Sequence, residues 1–174
     1  MSIFICFIVY LYSFYQKMQN KQYYRDLIKK EFDKLSTEDL TSHSTSLIDN
    51  FIKGQSFDKS NKIMVYLPLR DEVQIQSLFK IKKDFYIPKI EGNSLSSVKL
   101  FENTAINPSD LDLIIVPGRA FTKSGVRIGR GAGYYDRFLE NLSVPTIALA
   151  FSFQIFSELP QAEHDIRISQ VITE

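Results

Sequence analysis

Five cations, Arg119, Lys123, Arg127, Arg130 and Arg137, face a single acid, Asp136, between Pro117 and Leu139 (PGRAFTKSGVRIGRGAGYYDRFL). That is a local charge of +4 in a chain whose total is +1. Gly129, Gly131 and Gly133 are interleaved with the arginines. Glycine lets the backbone reach positive φ and lets a ligand approach main-chain amides with no Cβ in the way. A helix starting near Tyr134 would aim its unpaired N–H groups into the same space, where negative charge is favoured. The pattern therefore reads as an anion site, with Asp136 a hard-oxygen ligand for Mg²⁺ arriving with phosphates. The G-x-G-x-G spacing is neither the dinucleotide fingerprint nor a Walker A loop, since no G-K-[ST] follows. On the glycines alone, a basic surface turn is an equal reading. The arginine density and the apolar strand before the loop favour a ligand.

Two further places carry charge in a pattern. Lys21, Arg25 and Lys29 recur at i, i+4 and i+8 opposite Tyr24, Leu27, Ile28, Phe32 and Leu35, so one amphipathic helix would hold a basic stripe behind an apolar one. Like charges at that spacing repel by about 0.2–0.5 kcal/mol per pair, a cost that a bound polyanion would offset; a solvated face with splayed side chains is the plainer reading. Glu72 follows an apolar run and Pro68, where a carboxylate would project from the end of a strand. Its neighbour Asp71 shows how little one acid proves.

The run Pro117-Gly118, Ala120-Phe121, Gly125, Arg127 and Gly129 through Leu139 closely resembles the signature of the 5-formyltetrahydrofolate cyclo-ligase family. Lys21-x-x-Tyr24-Arg25, Tyr66 to Glu72 and His164-Asp165 resemble three further family segments, so the likeness extends from about Gln19 to Glu174. The resemblance implies ATP-dependent closure of 5-formyltetrahydrofolate to 5,10-methenyltetrahydrofolate. It implies nucleotide contacts at Lys21, Arg25, Arg127, Ile128, Gly129, Arg130, Gly131, Ala132, Gly133, Tyr134 and Tyr135, with Tyr135 read mainly as packing. It assigns the folate to Leu67, Glu72, Arg130, Gly131, Gly133 and Tyr134, catalysis to Tyr134 and Arg130, and Mg²⁺ to Asp136 and Asp165. Three departures stand out. Ala132 replaces a common lysine or glycine, Arg119 and Thr122 replace leucine-like and aspartate residues, and Ser169 stands at an often acidic position.

Around these motifs, 174 residues at 44% hydrophobic suit one globular domain. Cys6 is the only cysteine, and His43 and His164 are the only histidines. A disulfide framework or a Cys/His zinc cluster within one chain is thereby excluded. With 21 cationic and 20 acidic residues, the chain lacks the footprint of a nucleic-acid or anionic-membrane binder, and a monomer is expected. An RNA-binding module and an ATP- or sugar-phosphate-binding enzyme of another reaction type on a similar α/β scaffold are the rival classes.

The first 15 residues, MSIFICFIVYLYSFY, are uncharged and almost wholly apolar. They are short for a membrane span, which takes about 20 residues, and lack the basic start and small-residue cleavage site of a secretory signal. The preferred reading makes residues 1–17 a start-site artefact before Met18, with a cytoplasmic domain over 18–174; a targeting or anchoring segment is the alternative.

Segments alternate between helical and extended patterns. Ser36 should cap a second helix running through Ile52 towards Gly54. Strands are expected over Lys62–Leu67, Phe85–Pro88, Leu95–Phe101, Leu111–Val116, Val144–Phe151 and Ile166–Ile172, with helical pieces over Val73–Lys80 and Gln154–Leu159. That order predicts an α/β domain with a largely parallel central sheet flanked by helices. The resemblance makes it Rossmann-like, of the NagB/RpiA kind, with ligand loops at the carboxyl ends of the strands.

Overall fold

The computed structural model describes residues 20–174, so the apolar leader lies outside the described residues. The helices are α1 (Lys21–Asp33), α2 (Thr37–Ile52), α3 (Gln55–Asp58) and α4 (Tyr134–Leu139). The strands are β1 (Lys62–Met64), β2 (Asp84–Glu91), β3 (Ser94–Lys99), β4 (Ala105–Ile106), β5 (Leu113–Ile115), β6 (Ala120–Thr122), β7 (Arg127–Ile128), β8 (Thr146–Ala150), β9 (Ile155–Phe156) and β10 (Gln170–Thr173).

Seven strands form one sheet in the order β10-β8-β5-β1-β2-β3-β4. The four pairings from β10 through β2 are parallel, while β2–β3 and β3–β4 are antiparallel. Alternate residues of the inner strands enter two separate cores. Ile63, Phe85, Leu113, Ile115, Ile147 and Leu149 pack beneath α1 and α2; Met64, Tyr86, Ile114, Ala148 and Ala150 pack on the other side with Leu139 of α4. Burial on both faces is why these strands read as continuous apolar runs rather than alternating ones. The expected α/β architecture is present.

Both long helices begin as their sequences require. The Asn20 side chain accepts from the Gln22 amide and Ser36 Oγ accepts from the Asp39 amide, each supplying one of the bonds that a helix start lacks. Tyr24, Ile28 and Phe32 turn inward from α1, leaving Lys21 and Arg25 on another face.

Two expected helices do not form as such. Val73–Lys80 yields only a 3₁₀ turn over Gln76–Lys80, because its start is held in loop geometry: Tyr66 Oη donates to the Val73 carbonyl at 3.1 Å and Ser44 Oγ accepts from the Gln74 amide at 3.0 Å. Gln154–Leu159 gives way to a 3₁₀ turn at Ser152–Gln154 and then β9, which pairs with β6 in a small sheet of order β7-β6-β9. The Gln154 side chain accepts from the Phe151 amide and donates to the Gly118 and Arg119 carbonyls, so it braces the loop rather than extending a helix.

Candidate active site

Connections from β1 and β5 diverge to opposite sides of the sheet, since β1 leads to β2 on one side and β5 to β8 on the other. A crevice forms beyond the carboxyl ends of strands at such a switch point. A cavity of about 430 Å³ lies there, lined by Glu72 after β1, by Pro117, Gly118 and the Gly129–Asp136 loop after β5, by Lys21 and Arg25 of α1, and by His164 and Asp165. With Pro88, Ile90 and Leu95 of β2 and β3, five segments remote in sequence thus meet in one place.

The glycine loop has the backbone its sequence implies. Gly131 has φ +113° and Gly133 has φ +68°, conformations that L side chains rarely adopt. The amides of Gly131 through Asp136 have no hydrogen-bond partner among the described residues. Gly133 caps α4, which is only six residues long, so individual amides rather than a long-helix dipole are what the loop offers an anion.

Each cation is already engaged. Lys21 Nζ donates to both oxygens of Asp165, at 2.6 Å to Oδ1. Arg127, with 4% of its side chain exposed, reaches Asp136 Oδ1 at 2.8 Å and the Pro117 carbonyl at 3.1 Å. Arg130 donates to Glu72 Oε1 at 2.9 Å and to Asp71 Oδ1 at 2.5 Å. Arg25 Nε donates to the Gly129 carbonyl at 2.8 Å, and its guanidinium lies over Gly131 with no carboxylate partner among the described residues. The wall therefore holds four cations against three carboxylates, Glu72, Asp136 and Asp165. It is a neutralised, preorganised site and not the open cationic patch that the charge count suggests.

Protonation follows from these contacts. Burial alone would raise the Asp165 carboxyl, but the bonds from Lys21 and the Ala162 amide outweigh it and hold it below the usual carboxylate range. The same balance holds for Asp71, where Arg130 and Arg119 outweigh burial. Desolvation pushes the Tyr135 hydroxyl well above its ordinary value, against an opposing pull from Arg127, so it stays neutral. Tyr135 Oη and Arg127 Nε are buried without a hydrogen-bond partner among the described residues.

The expected site residues divide accordingly. Lys21, Arg25, Glu72, Arg127, Gly129, Arg130, Gly131, Ala132, Gly133, Tyr134, Tyr135, Asp136 and Asp165 all line the cavity. Ile128 does not; its side chain is fully buried in the core beneath α1, and its carbonyl accepts from the Arg119 amide. Leu67 does not line the cavity either, and is 54% exposed. Lys29 is exposed away from it, so the basic stripe of α1 contributes two residues rather than three. Arg119 is buried and paired with Asp71. Pro88, Ile90 and Leu95 enter the wall without having been singled out in the sequence. Their strand pattern was visible, yet nothing local distinguishes a cavity-lining apolar strand residue from an ordinary one.

For a divalent cation, the carboxylates differ. Asp136 Oδ2 carries no partner among the described residues, whereas Asp165 is occupied by Lys21 and the Ala162 amide. No cluster of three His, Cys, Asp or Glu residues occurs among the described residues. Such a donor set suits Mg²⁺, which keeps several waters and binds through one or two carboxylates plus substrate phosphates.

Known proteins of similar sequence and fold identify the family. The sequence model of the 5-formyltetrahydrofolate cyclo-ligase family matches residues 99–174. The chain is 30% identical over 182 residues to 5-formyltetrahydrofolate cyclo-ligase of Mus musculus, covering 84% of this chain and 90% of that one. It is 33% identical over 120 residues to the Mycoplasma genitalium enzyme of the same name, covering 63% and 70%. The NMR structure of 5,10-methenyltetrahydrofolate synthetase from Aquifex aeolicus superposes with a TM-score of 0.80 at 32% identity, covering 88% of this chain and 89% of that one. With the long match to the mouse protein and the shared architecture, the chain belongs to the 5-formyltetrahydrofolate cyclo-ligase family of enzymes.

Proposed function

We propose that this enzyme closes 5-formyltetrahydrofolate to 5,10-methenyltetrahydrofolate with consumption of ATP and release of ADP and phosphate. The observation that carries this reading is the convergence of Lys21 and Arg25, the glycine loop, and the buried Glu72 on one cavity. It joins an anion cradle to an acceptor suited to a heterocycle's N–H groups.

Formyl oxygen on an amide-like carbon is a poor leaving group, and phosphorylation makes it a good one. The γ-phosphoryl group moves from ATP to that oxygen and ADP leaves; nitrogen-10 then attacks the formyl carbon, the ring closes as nitrogen-10 gives up its proton to solvent, and the carbon–oxygen bond breaks as phosphate departs. Phosphoryl transfer depends mostly on positioning and charge neutralisation. Arg25 and the unpartnered amides of Gly131 through Asp136 would take phosphate oxygens, with Lys21 sharing itself between nucleotide and Asp165. Arg130, bonded to Glu72 and next to the glycine loop, would meet the transferred group, and Tyr134 would offer its hydroxyl or ring to the formyl carbon. Asp136 would hold Mg²⁺ directly, and Asp165 through water or after Lys21 shifts. Bound there, the cation would neutralise phosphate charge. Pro88, Ile90 and Leu95 would help keep water from the phosphorylated intermediate.

No helix among the described residues is long and apolar enough to cross a membrane. The functional reading takes the enzyme as a cytoplasmic monomer without nucleic-acid partners. The test is a spectrophotometric assay of methenyl product with purified protein, ATP, magnesium and 5-formyltetrahydrofolate. Product formation that requires ATP is expected; formylfolate-independent ATP hydrolysis without product would point to a different ATP-using enzyme.

A further inference from the structure

β6 and β7 run antiparallel, with Ala120 opposite Ile128 and the Arg119 amide donating to the Ile128 carbonyl at 2.7 Å. Arg119, just before β6, and Arg130, just after β7, therefore leave the same end of this ribbon. Both turn to Asp71 in the loop after β1. Arg119 Nη2 pairs with Oδ2, and Arg130 Nη2 donates to Oδ1 at 2.5 Å. Arg119 Nη1 also donates to the Asp71 carbonyl at 3.4 Å. Arg130 Nε goes on to Glu72 Oε1 at 2.9 Å, and its Nη1 has no hydrogen-bond partner among the described residues.

Exposure rises along these contacts, from 10% of the side chain at Arg119 to 23% at Asp71 and 37% at Arg130. Of the three, only Arg130 lines the cavity. The buried end is the anchored one, since the Arg119 carbonyl accepts from Gln154 Nε2 at 3.0 Å. Burying an arginine is costly unless its charge is paired, and Asp71 is the only carboxylate partner of Arg119 among the described residues. Position 119 is also where the sequence carries arginine in place of the leucine-like residue of the family pattern, which has no charge to offer Asp71. Without Arg119, Arg130 would stand alone against two acids, Asp71 and Glu72, a net −1 beside any incoming phosphate. With it, the four-residue cluster sums to zero.

We propose that Arg119 is a positioning residue for Arg130: acting through Asp71, it fixes that guanidinium on the cavity wall and keeps the charge around it from being negative when the phosphoryl group is transferred. The inference rests on the function proposed above, in which Arg130 meets that group. Donors aimed at developing charge act best when they are already held in place and need no reorganisation. Arg130 is held at Nε by Glu72 and at Nη2 by Asp71, which leaves Nη1 for a ligand. With Arg119 gone, Asp71 loses the bond that fixes its Oδ2. It then either swings towards water and takes Arg130 with it, or keeps Arg130 as its sole countercharge. Both outcomes leave less of Arg130 to the phosphate.

The test is a cycle on kcat for methenyl product with Arg119→Leu, Arg130→Ala and the double variant, each in the full chain. Arg119→Leu alone should lower kcat about tenfold. In the Arg130→Ala background it should change kcat by less than about twofold, because a residue that acts through Arg130 has nothing left to act on. Arg119→Lys keeps the charge without the planar fork and should retain more kcat than Arg119→Leu. If Arg119→Leu yields too little folded protein, Asp71→Asn takes its place in the cycle with the same expectations. A kcat unchanged by the substitution overturns the inference. So does an equal fall in both backgrounds, which is what a purely structural role would give, and so does Arg119→Lys no faster than Arg119→Leu. In each of these cases wild type is active and the proposed function stands. Wild-type protein that forms no methenyl product overturns the proposed function and this inference together.

Discussion

Arg130 and Glu72 are hydrogen-bonded to each other, Nε to Oε1 at 2.9 Å, across 58 positions of sequence. Glu72 Oε2 in turn accepts from the Leu69 amide at 3.0 Å, which fixes the carboxylate at the inner end of the cavity. The residue assigned to the pterin and the one assigned to the transferred phosphoryl group are thus direct partners. Glu72→Gln should raise the KM for formylfolate about tenfold and the KM for ATP about twofold or less. Arg130→Ala should lower kcat by at least about a hundredfold, in keeping with removal of a group that meets developing charge. Because the two touch, the double variant should deviate from additivity by about 0.5–3 kcal/mol. Steady-state kinetics on the four proteins measures this, and strict additivity would contradict the coupling.

The Arg127–Asp136 pair makes a different prediction. Arg127 has 4% of its side chain exposed and Asp136 18%, so Asp136→Asn leaves a buried guanidinium facing a neutral amide. Breaking a buried pair by removing one charge costs about 3–5 kcal/mol; the retained amide oxygen and the Pro117 carbonyl should keep the loss to about 2 kcal/mol. The magnesium concentration for half-maximal rate should also rise, since Asp136 Oδ2 is the free carboxylate oxygen. Chemical denaturation and a magnesium titration of the rate read the two effects separately. A variant with unchanged magnesium demand would remove Asp136 from the metal's contacts.

Some of this was legible in the sequence. Gly131 and Gly133 were readable because few other residues adopt their φ values. Helical spacing set Lys21 and Arg25 opposite Tyr24, Ile28 and Phe32, but only the family resemblance assigned them to a ligand. Asp71 was not readable. Its role comes from meeting Arg119 and Arg130, 48 and 59 positions away, and no spacing rule links them. Ile128 stays off the cavity wall for the opposite reason: it sits inside a motif whose neighbours line the cavity, but strand alternation in β7 turns its side chain into the core. Pro88, Ile90 and Leu95 join the site only because β1 ends early and leaves the hairpin projecting.

Tyr135 offers a stability measurement. Its hydroxyl is buried and unpartnered among the described residues, and a buried polar group left unsatisfied costs about 1–3 kcal/mol. Tyr135→Phe should therefore stabilise the ligand-free enzyme, by about 1 kcal/mol, seen as a higher unfolding midpoint in urea. The same substitution should reduce the extra stability gained on adding magnesium-ATP, if the bound nucleotide supplies the missing acceptor. A lower midpoint without ligand would mean that the hydroxyl has a partner, such as an ordered water, in the free enzyme.

Asp71 and Asp165 predict the acid limb of stability. Both carboxyls have folded-state values held below the ordinary 3.8 by their cationic partners, against the opposing effect of burial. A depressed folded value means that the unfolded chain takes up protons first as pH falls. The stabilisation is thus complete above about pH 5, where both states are ionised. It declines as pH drops below that and is gone beneath the folded values. Asp71→Asn removes one of these contributions and leaves Arg119, with 10% of its side chain exposed, without its anion. At neutral pH the variant should lose about 2 kcal/mol, less than for a fully buried pair because Asp71 itself is 23% exposed. Its stability should also fall less steeply than that of wild type between about pH 5 and pH 3, since one depressed carboxyl no longer titrates. Urea midpoints taken across that range test the sign, and parallel curves for the two proteins would show that Asp71 does not carry the acid dependence.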